Sequence, residues 1–185
     1  MIDDLIQDAV RRMDRSVENA HTEFNTIRTG RASAALLDRI EIDYYDQRTP
    51  LKQLATINVP NPRELTIQPF DPNSLKSIER AIQESELGLT PSNDGKVIRL
   101  PIPQLTEERR KELVKIVRQL AEDGRIAVRN VRRDVMHHLK ELVHSGEVGD
   151  DDERRAEERV QKLTNEHTAK IDELLRKKEA EIMEV

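Results

Sequence analysis

The longest predicted helix lies in residues 106–145, which read TEERRKELVKIVRQLAEDGRIAVRNVRRDVMHHLKELVHS. It contains no proline, and it opens on Thr106 followed by two glutamates. This is typical of a capped helix start, because acidic side chains favour the positive end of the helix dipole. Gly146 and Gly149 follow and are expected to end the helix. At 1.5 Å per residue, the segment predicts a helical rod about 60 Å long.

This predicted helix has an apolar face and a basic face. The apolar residues expected to be buried are Leu113, Ile116, Leu120, Ala127, Val131 and Val135. Between Arg109 and Arg133 there are seven arginines and two lysines against three acids, in a chain of net charge -5. The arginines that share the second face are Arg118, Arg125, Arg129 and Arg132. Positive charge concentrated on an exposed helix face is typical of a surface that binds phosphate.

The distribution of proline divides the chain. All eight prolines lie between Pro50 and Pro103, and residues 1–29 and 106–185 contain none. Apolar side chains recur at steps of three and four through both flanks. The first seam is Ile6, Ala9, Met13, Val17, Ala20, Phe24 and Ile27, and the last is Ala156, Val160, Leu163, His167, Ile171, Leu174 and Ile182. Three such seams predict a long antiparallel three-helix bundle made from both ends of the chain.

The middle of the chain has the two-residue period of strands. Ile40, Ile42 and Tyr44 alternate with polar residues, and Leu65 and Ile67 repeat the pattern. Asp71-Pro72 predicts the start of a short helix, and Ser92–Gly95 predicts a turn into a strand over 97–100. We therefore predict an α+β protein. Residues 1–30 and 105–185 form the bundle domain, and residues 31–104 form an inserted β/α/β domain.

The two connections between these domains are expected to act as a hinge. The residues concerned are Gly30, Arg31, Gln104, Leu105 and Thr106. Two crossings restrict motion to a swing about one axis, and glycine gives one of them backbone freedom.

Composition excludes several classes of protein. There is no cysteine, so disulfides and thiolate chemistry are absent, and aromatic residues make up only 2 % of the chain. No apolar run reaches the length of a membrane span, and the N-terminus lacks a signal-peptide pattern. No group of residues combines a nucleophile with a base, and the histidines lack metal-site spacing. We expect a cytoplasmic, non-enzymatic protein without metal or cofactor.

Five strings in this sequence resemble one known family in order and spacing. They are Ile27-Arg-Thr-Gly-Arg-Ala-Ser33, Ser85-Glu-Leu-Gly-Leu-Thr-Pro91, Ile98-Arg-Leu-Pro-Ile-Pro103, Leu105-Thr-Glu-Glu-Arg-Arg-Lys-Glu-Leu113 and Arg125-Ile-Ala-Val-Arg-Asn-Val-Arg-Arg-Asp134. The family is the bacterial ribosome recycling factors, and the resemblance covers the whole chain. It implies an L-shaped molecule with a three-helix bundle and an inserted β/α/β domain.

The resemblance also implies function. Members of the family act on the post-termination ribosome with elongation factor G and GTP hydrolysis to separate the subunits. It implies a monomer whose bundle binds ribosomal RNA of the large subunit. The matching RNA-binding positions are Arg28, Gly30, Arg31, Arg129, Arg132 and Arg133, with Arg125 on the same face. Arginine suits this role because its guanidinium pairs with phosphate and stacks on bases.

This chain departs from the family pattern at Ala34, where proline is usual, at Asp46, where glycine is usual, and at Gly124 within a helix. A mid-helix glycine costs about 1 kcal/mol relative to alanine. The residues alone also allow an alternative function, a structural or chaperone-like coiled-coil adaptor that binds protein clients through long acidic helices. Against it stands a basic face for which the sequence shows no acidic partner at the i+4 spacing.

Overall fold

The structure is a computed structural model that describes residues 1–184. It divides into two compact units: Met1–Thr29 with Thr106–Glu184, and Gly30–Leu105. Relative to the predicted boundaries, Gly30 and Leu105 fall in the second unit rather than in the bundle. The elements along the chain are α1 (Ile2–Asn25), a 3₁₀ turn (Ala34–Leu37), β1 (Glu41–Tyr44), β2 (Gln47–Pro50), α2 (Leu51–Leu54), β3 (Ala55–Asn61), β4 (Glu64–Pro69), a second 3₁₀ turn (Pro72–Ser74), α3 (Leu75–Glu84), β5 (Ser92–Asn93), β6 (Ile98–Pro101), α4 (Glu107–His144) and α5 (Asp150–Met183).

Helices α1, α4 and α5 form the first unit and confirm the predicted three-helix bundle. Cross-helix contacts fix their directions. Arg159 pairs with Asp3 and His167 contacts Asp14, so α1 and α5 run parallel. Arg12 pairs with Asp134 at 2.8 Å, and the pairs between α4 and α5 likewise join early residues to late ones, so α4 runs antiparallel to both.

The two ends of the long helix follow the sequence signals. Thr106 accepts a hydrogen bond from the amide of Arg109 at 3.1 Å, as a cap should, and α4 ends at His144 before Gly146 at φ +79°. Helix α1, by contrast, ends at Asn25, whereas the proline-free flank that predicts it continues to residue 29. The hydroxyl of Thr26 donates to the carbonyl of Glu23, which offers the backbone an alternative to another helical turn.

The buried row of α4 differs from the predicted one. Ile116 is 40 % exposed, and Leu120 and Ala127 are only partly buried. The residues that do line the core are Leu113, Val117, Ala121, Gly124, Val128, Val131, Val135 and Leu139. The prediction failed because it treated glycine as a weak point of the helix and phased the stripe on larger side chains.

Gly124 is where α4 comes close to the other two helices. A Cβ built there would lie 3.1 Å from Cδ1 of Ile171 on α5 and 3.2 Å from Cβ of Ala20 on α1. Both distances are shorter than ordinary van der Waals contact, so a methyl group at this position would require its neighbours to move by a few tenths of an ångström. This departure from the family pattern is therefore a packing feature.

His167 lies in the seam of α5, as predicted, and is 3 % exposed. Its Nε2 is 2.7 Å from Oδ1 of Asp14 on α1, and its Nδ1 is 2.6 Å from the carbonyl oxygen of Leu163. Both polar atoms of this buried ring are thus satisfied, and one of the two contacts ties α5 to α1.

The inserted unit combines a two-stranded hairpin, β1–β2, with a four-stranded antiparallel sheet in the order β3-β4-β6-β5. Its core is formed by alternate residues of β4 and β6, in register as Leu65 with Leu100 and Ile67 with Ile98, together with Ile78 and Ile82 of α3. Strands β2 and β3 were not predicted, and β5 (Ser92–Asn93) lies where a turn was predicted. Strand β3 lies at the edge, is largely exposed and contains Pro60, so it lacks the alternating pattern and tolerates a residue that cannot donate.

The hairpin turn is strained. Tyr45 and Asp46 connect β1 to β2 with φ of 48° and 62°, the left-handed region that suits glycine. Aspartate tolerates this conformation better than a bulky aromatic residue does. The family departure at Asp46 therefore falls at a position where the backbone itself favours glycine.

Candidate nucleic-acid interface

The buried row of α4 determines which way its arginines point. Because that row packs against α1 and α5, the arginines at 118, 125, 129 and 132 lie on the flank of α4 next to α5, and Arg133 lies further outward. Arg125 and Arg133 lie eight positions apart, about 12 Å along the helix. The structure thus brings four predicted RNA-binding residues together on a rigid element.

Arg125 is held firmly in place. Its side chain is 20 % exposed, its Nη2 lies 2.8 Å from Oδ1 of Asp172 on α5, and its Nη1 lies 2.9 Å from Oε2 of Glu122. Burial acts to lower the pKa of Arg125, but the hydrogen bonds and charges of Asp172 and Glu122 outweigh it and raise the pKa above its ordinary value. The charge of Arg125 is therefore balanced largely by two carboxylates of the bundle itself.

Arg129 shares one of those acids. Its Nη1 is 3.3 Å from Oε1 of Glu122, and its side chain is 41 % exposed. At the other end of the row, Arg118 pairs with Glu179 at 2.7 Å. The expectation of a basic face without acidic partners is therefore wrong.

The reason is spatial. Glu122 lies three residues before Arg125 rather than at the i+4 spacing, and the other acids come from α5. The i,i+3 pair was visible in the sequence. Asp172 and Glu179 could be found only once α5 was placed beside α4.

Arg132 and Arg133 differ from these paired arginines. Arg132 donates to Oε1 of Gln161 and Arg133 to Oδ1 of Asn130, each at 3.4 Å, and within residues 1–184 neither forms an ion pair with a carboxylate. The neighbouring acid, Asp134, faces α1 instead. The hydrogen bond and charge of Arg12 lower the pKa of Asp134, so this acid stays ionised and engaged there. Arg132 and Arg133 thus keep a positive charge that no neighbouring carboxylate offsets.

Two apolar side chains on the same helix are unexpectedly exposed. Ile126 is 45 % exposed and lies between Arg125 and Arg129 in the chain, and Ile116 is 40 % exposed. The predicted apolar stripe had placed Ile116 in the core. Ile126 provides an apolar contact beside the cations, which suits a sugar or base face.

The remaining predicted RNA-binding residues lie elsewhere. Arg28 is exposed and follows the end of α1, whereas Gly30 and Arg31 belong to the inserted unit. Gly30 has φ +75°, and a Cβ there would lie 2.8 Å from Cγ of Leu105. The two connecting segments therefore touch at these residues, and no other residue type fits at position 30 without a shift.

Other kinds of site find no support in the part of the chain that the structure describes. No group of three or more His, Cys, Asp or Glu residues there is arranged to hold a metal ion. None of the helices over residues 1–184 has both the length and the apolar character that crossing a membrane requires.

A three-helix bundle with an antiparallel sheet unit inserted in the chain defines a class of two-unit α+β proteins. Comparison with known proteins narrows the class. The sequence model of the family "Ribosome recycling factor" matches residues 20–183. The ribosome-recycling factor of Rubrobacter xylanophilus is 59 % identical over 180 residues, which covers 97 % of each chain. That of Geobacillus kaustophilus is 51 % identical over 185 residues and covers both chains completely. The chain belongs to the ribosome recycling factor family.

Solved structures agree. A solution structure of the ribosome recycling factor superposes with a TM-score of 0.74 at 42 % identity, covering 100 % of this chain and 98 % of that one. A second describes models for the T. thermophilus ribosome recycling factor and the E. coli elongation factor G bound to the E. coli post-termination complex. Its TM-score is 0.64 at 45 % identity over 100 % of both chains. These neighbours confirm the predicted α+β fold.

Proposed function

We propose that this protein recycles ribosomes in the cytoplasm: with elongation factor G and GTP hydrolysis, it separates the subunits after termination. Family membership supports the role, and one structural neighbour is described with elongation factor G on a post-termination complex. The protein works as a non-catalytic monomer that binds ribosomal RNA of the large subunit. The observation that carries the RNA contact is the pair Arg132 and Arg133, whose charges no carboxylate of residues 1–184 offsets.

The proposed RNA-binding residues have different roles. Arg132 and Arg133 bind phosphate, because their guanidinium groups form no ion pair with a carboxylate of residues 1–184. Arg129 contributes part of its charge, and Arg125 acts mainly by fixing α4 to α5 through Asp172. Arg28, Gly30 and Arg31 extend the RNA-binding set by family resemblance.

Arg132→Ala tests the RNA contact. A charge-assisted contact is worth about 1.5 to 3 kcal/mol, so affinity for large subunits should fall about 10- to 150-fold. Thermal stability should change by no more than about 0.5 kcal/mol, because the side chain makes only one long hydrogen bond. Arg154→Ala is the matched control, since this exposed arginine of α5 has only an i,i+3 partner at 3.9 Å.

Co-sedimentation with large subunits at rising salt measures both variants. RNA-borne binding must weaken steeply with salt, and the slope should be shallower for Arg132→Ala. Unchanged affinity for Arg132→Ala, or salt-independent binding of the wild type, contradicts the proposal and favours the client-binding adaptor.

We further propose that the segments at Gly30–Arg31 and Gln104–Thr106 form a hinge between the units. Gly30 supplies a positive φ, and Pro101 and Pro103 stiffen the second connection ahead of its bend. Such a swing lets elongation factor G push one unit while the other holds RNA.

A disulfide engineered between the two connections tests this hinge. The chain has no other cysteine, so the introduced pair is the only one present. Oxidation should leave ribosome binding intact and suppress subunit splitting, and reduction should restore it. Equal splitting rates for the oxidised and reduced forms would show that the hinge plays no part.

A further inference from the structure

A second surface of the bundle has features that RNA binding does not use. A groove of about 560 Å³ runs between α1 and α5, and its apolar lining comes from Val17, Ala169 and Leu174. No residue of α4 lines it, so it is separate from the basic row of that helix. The lining residues of α5 run from Glu166 to Leu174, which lie eight positions apart, about 12 Å or two helical turns.

The rim of this groove is acidic. Four carboxylates line it, from Asp14, Glu18, Glu166 and Glu173, against the single ammonium group of Lys170. Asp14 is engaged by His167, and Glu173 by Arg176 at 2.6 Å. Within residues 1–184, Glu18 and Glu166 form no ion pair, so their charges face solvent beside apolar surface.

The apolar lining and the acidic rim together determine which kind of ligand fits the groove. RNA is disfavoured, because its phosphates would lie beside four carboxylates. A protein segment that carries lysine or arginine around an apolar side chain complements both the rim and the floor. We propose that the α1–α5 groove is a docking site for a short Lys- and Arg-rich segment of a partner protein, which places an apolar side chain against Val17 and Leu174.

The source of such a basic segment is inferred from the proposed function, and this part of the proposal rests on it. Proteins that bind RNA carry basic segments, so a factor whose α4 binds ribosomal RNA meets such segments close by. An acidic groove on another face of the same bundle would therefore add a protein contact to the RNA contact without competing for the same surface.

The first test uses a defined probe and needs no ribosome. A twelve-residue Lys/Leu helical peptide should shift the methyl resonances of Val17 and Leu174, and a Glu/Leu peptide should not. The double variant Glu18→Lys/Glu166→Lys should weaken binding of the Lys/Leu peptide about tenfold or more. Its control is Glu108→Lys/Glu141→Lys on α4, which makes the same change in net charge at exposed positions outside the groove. Equal weakening by both double variants, or no shift at Val17 and Leu174, overturns the proposal.

The second test identifies the occupant on the ribosome. Lys170→Cys gives a single thiol in the groove for a short photo-crosslinker, and His137→Cys gives one on the exposed side of α4. The groove probe should crosslink to Lys- and Arg-rich protein fragments. Crosslinks only to RNA, only to a second copy of this chain, or to nothing while the variant still co-sediments would overturn the docking site. Loss of co-sedimentation by the wild type would instead contradict the proposed function, and the peptide experiment would still decide the groove.

Discussion

Replacing Gly124 by alanine sets two effects of known sign against each other. Alanine has the better helix propensity by about 1 kcal/mol, so on an isolated helix the change is stabilising. In the bundle, the new methyl group would lie 3.1 Å from Cδ1 of Ile171 and 3.2 Å from Cβ of Ala20. The structure therefore has to absorb two close contacts at once.

The two neighbours differ in how easily they move. The end of Ile171 is a side-chain terminus that can rotate, but Cβ of Ala20 is fixed to the backbone of α1 and moves only with that helix. Overpacking of this kind costs about 1 to 3 kcal/mol. Subtracting the gain in propensity leaves a net destabilisation of about 1 kcal/mol, which lowers Tm by about 2–4 °C in a protein of this size.

Thermal and urea unfolding monitored by helical circular dichroism measure this effect. Asp123→Ala is the matched control, because it changes the preceding residue, which is exposed, and should be neutral or stabilising by up to about 0.5 kcal/mol. Gly124→Val, with two further methyl groups, should destabilise more than Gly124→Ala. If Gly124→Ala raises Tm as much as the control does, close packing of the three helices does not constrain this position.

Two further predictions concern charge. Glu122→Gln removes the carboxylate shared by Arg125 and Arg129. Affinity for large subunits should therefore rise about two- to fivefold and depend more steeply on salt. Weaker co-sedimentation of this variant would instead mean that Glu122 positions the two arginines. The lowered pKa of Asp134 means that its pairing with Arg12 stabilises the fold at neutral pH and is lost as the pH falls below about 4, through that lowered pKa. Asp134→Asn should therefore be less stable than wild type to urea at pH 7, and this difference should be smaller at pH 3. An equal difference at both pH values would refute the linkage.

The sequence predicts the elements whose causes are local. The cap at Thr106 and the apolar periodicity of the flanks depend on neighbours within a few residues, and both lead to the observed bundle. The edge strand β3 escaped prediction because its residues are mostly exposed and are ordered by pairing with β4 rather than by their own pattern.

The candidate interface shows the same division. The clustering of arginines follows from sequence and helical geometry alone. Which arginines are free does not, because Asp172 and Glu179 lie 47 and 61 residues from the arginines they contact. Which residues of α4 are buried also depends on Gly124. Its small size matters only because α1 and α5 come close to it, and the sequence does not show that approach.

The parallel arrangement of α1 and α5 affects the order in which a nascent chain can fold. Asp3 and its partner Arg159 are separated by 156 residues, so the first helix to leave the ribosome must wait for the last. At 5–20 residues per second, that wait is on the order of ten seconds. The inserted unit, Gly30–Leu105, is contiguous and is complete before α4 is made. During synthesis, α1 therefore remains an uncovered amphipathic helix until α4 is made, and Met13 and Phe24 gain their full surroundings only when the 34-residue α5 follows.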